Sequence, residues 1–323
     1  MRTIRFRSFV PLALAAAVVA APPAPGQTGE GTDPSASTVS VPDTITATDV
    51  PPIVEAAVAD FAPYENLRSA SFNDWHPSER RMLVTTRFGE VTQLHEVAAP
   101  LGARRQLTFY DERVGGGTFR PGAPQQIGFS MDEGGAENYQ LYVLDRASGE
   151  VVRLTDGIHR HQGAQFSNGG GRIAYVSNSR NGRDFDLYVM DPAKPDSERR
   201  VAELAGAWFP SDWSPDDSKI ALVNYISVND SSLWLVDVAS GESTRLSPEP
   251  GDEPVSWGGA VFSPDGGSVY TTSDAGGEFQ RLMRLDLASG EWTTLSADVD
   301  WNVQGFDVSD DGSLVAFFVN EDG

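Results

Sequence analysis

His76, His95, His159 and His161 are the candidate general bases of this chain, because imidazole is the side chain whose ordinary charge change falls near neutral pH. A hydrolytic triad places such a base beside an activated serine and a carboxylate. The serine commonly sits on a strand-turn-helix elbow of the form Gly-x-Ser-x-Gly. The sequence holds no match to it. The nearest stretch, Gly241-Glu242-Ser243-Thr244-Arg245, lacks the last glycine and reads as a hairpin between two strands. No catalytic residue is therefore expected at any position. His76 falls in a turn and His95 in a strand. His159 and His161 have the His-x-His spacing that puts two rings on one face of a strand, where they could hold a metal. With no identifiable third ligand, the expectation is a hydrogen-bonding role where the chain enters its third repeat, with no metal and no cofactor.

The carboxylates read in the same way. Asp216-Asp217 and Asp310-Asp311 sit in tight turns, where Asp accepts local backbone hydrogen bonds, and calcium loops need more oxygen ligands at defined spacing. The loop Asp132-Glu133-Gly134-Gly135-Ala136-Glu137 is the richest in carboxylates; it reads as a solvated loop, the alternative being a site for a cationic group. The chain has no phosphate-cradling Gly-Lys motif and no dinucleotide fingerprint. It also has no cysteine, which excludes disulfides, thiolate nucleophiles and Cys-ligated metal.

Elements that could position these residues emerge from the stretch between Trp257 and Ser296. A short apolar strand ends at Phe262, Ser-Pro-Asp-Gly-Gly turns the chain, and an alternating strand runs through Val269 and Thr271. A third strand covers Leu282 to Asp286, and Ala288-Ser289-Gly290-Glu291 turns into a fourth, Trp292 to Leu295. Proline presets φ in the first turn, and Asp-Gly and Ser-Gly supply the left-handed conformations that short hairpins require. The pattern recurs. The residue before the first turn is Trp75, Phe119, Phe166, Trp213, Phe262 and Val308, at spacings of 44, 47, 47, 49 and 46 residues. Third-strand anchors Leu94, Leu141, Leu187, Leu233 and Leu282 follow at 47, 46, 46 and 49.

Four strands in 40 to 50 residues, repeated, define a β-propeller. The expected fold is all-β, with five complete WD40-like blades and a sixth cut after two strands. The five aromatic anchors should be buried between neighbouring blades. The final repeat stops in Glu321-Asp322-Gly323 with an apolar edge open, so the sequence reads as a fragment.

With 323 residues, 40% hydrophobic and 10% aromatic, the chain has material for a large core. A formal charge of −22 argues against nucleic acid or anionic membrane as a partner. It suits solubility, or else an acidic lumen that attracts basic peptides or free amino termini. MRTIRFR followed by SFVPLALAAAVVA has the three-part pattern of a secretory signal, with cleavage expected after Ala20. That implies a periplasmic or secreted protein. The apolar run is too short to span a membrane, and no lipid-bearing Cys follows it. Residues 21–60, rich in Pro, Thr, Ser and Ala, read as a flexible leader, with IVEAAVADF forming one short helix under the first blade. The propeller is expected over 61–323.

The stretches YENLRSASFNDWHPSERRMLVTTRFGEVTQLHEV (64–97), HQGAQFSNGGGRIAYVSNSRNGRDFDLYVMD (161–191) and WNVQGFDVSDDGSLVAFFVNEDG (301–323) resemble the propeller of secreted bacterial members of the prolyl oligopeptidase family. The nearest branch is that of dipeptidyl and acylaminoacyl peptidases, and the SPDG-type blades also resemble the TolB propeller. The resemblance implies a seven- or eight-bladed propeller that caps a carboxy-terminal α/β-hydrolase domain and admits short peptides. In that family the triad belongs to the hydrolase domain, which this sequence lacks, so no catalytic residue carries over. The alternative is a non-enzymatic TolB-like propeller that binds a protein.

Overall fold

The repeated turns are built from their own side chains. In Ser263-Pro264-Asp265-Gly266-Gly267 the Ser263 hydroxyl donates to Asp265 Oδ1 (2.6 Å), which also accepts the Gly267 N–H (2.9 Å). Asp216 serves Ser214 and Ser218 in the same way, and Asp311 serves Ser309 and Ser313. At the second turn of the repeat, Asp237 Oδ1 accepts the N–H groups of Ala239 and Ser240, and Asp286 Oδ1 those of Ala288 and Ser289. Each turn thus satisfies its backbone locally and commits the flanking residues to antiparallel pairing.

The computed structural model describes residues 36–249 and 251–322. The expected signal peptide, 1–20, lies outside them. The described residues fall into two compact units, one up to Ser69 and one from Ala70. In the first, α1 (Glu55–Glu65) starts after Val54, which bridges to Thr38, and Glu55 accepts a hydrogen bond from Ser37 Oγ (2.7 Å). The helix runs past residue 60, and none of its residues is buried.

The second unit is all-β. Its first sheet is β1 (Ala70–Trp75), β2 (Met82–Thr86), β3 (Gln93–Val97) and β4 (Arg104–Gln106). The second is β5 (Val114–Phe119), β6 (Gln126–Met131), β7 (Gln140–Asp145) and β8 (Val151–Arg153), and the third β9 (His161–Phe166), β10 (Ile173–Ser177), β11 (Asp186–Asp191) and β12 (Lys194–Ala202). The fourth holds β13 (Ala207–Trp213), β14 (Lys219–Ser227), β15 (Asp230–Asp237) and β16 (Ser243–Arg245), and the fifth β17 (Val261–Phe262), β18 (Ser268–Ser273), β19 (Arg281–Asp286) and β20 (Trp292–Thr294). The sixth has β21 (Val303–Val308) and β22 (Val315–Val319). Every four-stranded sheet pairs its strands in chain order. First strands of neighbouring sheets touch, β1 with β5, β9 with β13 and β13 with β17.

Among the described residues the apolar core is divided into clusters that lie between consecutive sheets. Leu83 and Leu94 of the first sheet pack with Phe119 and Ile127 of the second, and Val176 and Leu187 of the third with Trp213 and Ile220 of the fourth. Val261 and Leu282 of the fifth meet Phe306 and Val308 of the sixth. All five third-strand leucines are buried. Hydrogen bonds cross the same seams: Asp74 Oδ2 accepts the N–H of Phe119 (2.9 Å), Asp212 Oδ2 that of Phe262 (3.0 Å), and Gln165 O the indole N–H of Trp213 (3.0 Å). At one seam the backbones come so close that only glycine fits, since a Cβ on Gly170, at φ +68°, would lie 1.8 Å from the Pro121 carbonyl oxygen.

Phe119, Trp213 and Phe262 are buried as expected, but two anchors depart from that expectation. Trp75 is 39% exposed. An anchor is covered by the sheet before it, and among the described residues of this unit no sheet precedes the first. Phe166 is half-buried, its ring edge resting over Gly128, which offers no side chain to cover it.

Trp213→Ala should therefore cost roughly 3 to 5 kcal/mol, and both Trp75→Ala and Trp292→Ala, the latter on an outer strand, clearly less. Equal losses in denaturant melts would contradict the packing register. Burial raises the Asp74 carboxyl to about 6, against the N–H bonds from Phe119 and Trp75 that favour its charged form. A raised carboxyl gives stability that is complete below about pH 4 and lost as pH climbs through 6, by at most about 3 kcal/mol. Asp74→Asn should flatten urea midpoints across that window; an unchanged pH dependence would refute the assignment.

Candidate functional site

Chemistry-bearing side chains converge where the chain crosses from β8 into β9. Asp156 and Gly157 turn the chain: Asp156 Oδ1 accepts the N–H groups of Ile158 (2.8 Å) and His159 (3.0 Å), while Oδ2 lies 2.6 Å from His159 Nδ1. His161 starts β9, with Nε2 4.0 Å from Asp156 Oδ1. Between the two histidines, Arg160 turns to the β6–β7 loop, where its Nη2 donates to Glu137 Oε2 (2.6 Å) and its Nε to the Glu137 carbonyl (2.7 Å). The Arg160 N–H donates to Asn178 Oδ1 after β10 (3.0 Å), and the His159 carbonyl accepts from Gln140 Nε2 (2.7 Å). Asp156 thus orders its own turn and orients His159, while Arg160 ties that turn to the β6–β7 and β10–β11 loops at one end of the sheets.

The two histidines are not equivalent. His159 is half-exposed beside a carboxylate that orients it. His161 is 2% exposed, stacked edgewise toward Tyr175 with centroids 5.7 Å apart, and burial lowers its pKa despite the opposing pull of Asp156 and Glu198. Behind it the Tyr175 hydroxyl donates to Glu198, and burial pushes that phenol far up. Asp156 itself is pushed up by burial, but the His159 ring and the N–H bonds of Ile158 and His159 outweigh this and hold it at about 2. The arrangement can orient a half-exposed imidazole and keep it paired.

The remaining candidates are placed apart. His76 is buried in the β1–β2 turn, where Nδ1 accepts the N–H groups of Ser78 (3.3 Å) and Glu79 (3.1 Å), and its pKa falls chiefly through burial. His95 is buried in β3, with Nδ1 3.0 Å from the Gln93 carbonyl, and burial lowers its pKa too. Both are structural. Ser243 opens β16 in a hairpin. In the Asp132–Glu137 loop, Asp132 accepts the Glu137 N–H (3.0 Å) and Glu137 pairs with Arg160, so two of its carboxylates are engaged within the protein. Among the described residues, no group of three or more His, Cys, Asp or Glu is placed to hold a metal, and no helix is long and apolar enough to cross a membrane. Asp156 and Arg160 were not singled out in the sequence; the one signal was an Asp-Gly turn three residues before His159.

Residues 164–323 match the family model of the TolB beta propeller domain. No curated protein sequence matches the chain. Among solved structures it is similar to TolB from Acinetobacter baumannii, with 20% identity and a TM-score of 0.52 over 70% of this chain and 54% of that one. A prolyl endopeptidase aligns with 15% identity and a TM-score of 0.62 over 79% of this chain and 40% of that chain. An oligogalacturonate lyase in complex with manganese aligns with 13% identity and a TM-score of 0.62, over 78% of this chain and 73% of that chain. The chain thus spans about half the length of the TolB chain and less of the endopeptidase. The fold is a β-propeller of TolB-like blades, and among the described residues five have four strands and a sixth has two.

Asp156 yields a pH prediction. A lowered carboxyl gives stability that is present above about pH 4 and lost as pH falls toward 2. Because the group is 37% exposed, the contribution should be only about 1 kcal/mol. In urea titrations Asp156→Asn should be less stable than the parent at pH 5 and converge with it near pH 2; a constant difference would rule this out.

Proposed function

We propose that this chain is the propeller portion of a periplasmic or secreted serine peptidase of the prolyl oligopeptidase family, gating short peptides toward a hydrolase domain that lies beyond Gly323. The observation that supports it is the likeness to a prolyl endopeptidase, in which 79% of this chain accounts for only 40% of that one. Such a division fits a substrate filter joined to a separate catalytic domain. The match of residues 164–323 to the TolB beta propeller domain favours a second reading, a non-enzymatic propeller that binds a protein.

The experiment compares this chain with the product of its uninterrupted gene on chromogenic dipeptide and acyl-amino-acid substrates. The short chain should be silent and unlabelled by a fluorophosphonate, since it lacks nucleophile, base and oxyanion hole together. The longer product should be active. An inactive longer product without a Gly-x-Ser-x-Gly elbow would favour the TolB-like reading. Turnover and labelling by the short chain would defeat both.

A further inference from the structure

In four of the five complete sheets the second and third strands are joined by an irregular loop, but the fourth sheet departs from this. There β14 and β15 stay paired out to Ser227 and Asp230, leaving only Val228 and Asn229 to close the hairpin. The result is a two-stranded tip with a register shift at Ile226, between the Tyr225–Ser231 and Ser227–Asp230 pairs. Its apolar residues have no cover: Ile226 is 63% exposed and Val228 72%. Tyr225, one residue inside, packs against Phe209 instead (centroids 6.4 Å). A hairpin already ordered by its own ladder loses little freedom on binding, so apolar area at its tip is well placed for recognition.

The second feature lies beside it. The connection from β16 to β17 passes the base of this hairpin, where the Ser231 N–H donates to the Val255 carbonyl (3.0 Å), the Trp257 N–H donates to Ser231 Oγ (2.7 Å), and Ser231 Oγ donates to the Trp257 carbonyl (2.9 Å). Just before Val255 the connection exposes Glu249, Asp252 and Glu253. Ser231 is three residues from Val228, and Val255 two from Glu253 and three from Asp252, so the bonds hold these two carboxylates and the apolar tip within a few residues' reach. Asp230 adds a fourth acid at the hairpin itself.

We infer that this corner of the propeller is a docking surface for an extended peptide segment that carries aliphatic residues next to lysine or arginine. The aliphatic residues would cover Ile226 and Val228, and the basic ones would face Glu249, Asp252 and Glu253. Charge complementarity selects this occupant: the exposed Glu249, Asp252 and Glu253, with Asp230 beside them, repel acidic segments and attract basic ones. The surface stands independently of the peptidase reading, since it uses neither the Asp156 cluster nor any missing domain.

The probe is a fluorescein-labelled peptide of alternating Leu and Lys, with a Leu/Glu peptide for comparison, followed by anisotropy on the folded chain at low and high salt. The Leu/Lys peptide should bind and the Leu/Glu peptide should not. Ile226→Ser with Val228→Ser should weaken binding about tenfold or more. Glu249→Gln, Asp252→Asn and Glu253→Gln together should remove most of the salt dependence. Leu101→Ser, at the opposite end of the sheets, should bind like the parent. Unaltered thermal melts establish that the surface variants remain folded. If the Leu/Lys peptide fails to bind, or binds every variant equally, the hairpin is no docking surface and any affinity reflects the acidity of the whole chain.

Discussion

Face-to-face packing between consecutive sheets is the interaction on which everything else in this molecule depends. A four-stranded sheet with both faces apolar is insoluble alone, and here the second to fifth sheets each pack on the sheet before and the sheet after. Stability is then a chain of neighbour terms, each reinforced by a few polar bonds across the seam, such as Asp74 to Phe119 and Asp212 to Phe262. The corollary is visible at the two ends of the series. Trp75 on the first sheet and Phe318 on the sixth are exposed, at 39% and 60%, though equivalent or similar side chains inside the series are sealed.

The same constraint decides where chemistry can sit. The faces are committed to packing and the turns at one end of the sheets are consumed by their own Ser and Asp side chains, so variation is confined to the loops at the other end. It is there that Asp156 orients His159, that Glu137 meets Arg160, and that the β14–β15 hairpin extends. His76 shows the contrast: placed at the turn end, it caps N–H groups and is walled in by Phe119.

The repeat was legible because it rests on local signals. Ser-Pro-Asp-Gly turns and alternating apolar residues prescribe hairpins whatever surrounds them, and the strands from Val261 to Thr294 match what those signals imply to within a residue or two. What was not legible depends on neighbours. Nothing about the Trp75 side chain differs from Trp213; only the presence of a preceding sheet does. The half-burial of Phe166 depends on Gly128, 38 positions earlier, a pairing no local pattern reveals. The Asp156 cluster escaped for the same reason, since its partners Glu137 and Asn178 come from two other loops. Of the two histidines expected to hydrogen-bond at the entry to the third repeat, His159 does so, 2.6 Å from Asp156 Oδ2, whereas His161 stands 4.0 Å from that carboxylate.

The acidity of the chain also divides once the bonds are known. Asp145, Asp237 and Asp286 hold low pKa values through the N–H groups of Ser148, Ser240 and Ser289, and Asp216 and Asp265 through the hydroxyls of Ser214 and Ser263. These charges are a consequence of turn construction: an ionised carboxylate is the best acceptor for a cluster of local donors, and repeating the turn repeats the charge. They sit at the turn end and are already partnered. Glu249, Asp252 and Glu253 belong to no such turn and stand exposed. A large negative net charge therefore carries little functional meaning as a sum. Its meaning lies in particular carboxylates that the repeat does not require, and Glu249, Asp252 and Glu253 are three of these, in a connection at the end of the sheets where the loops are free to differ.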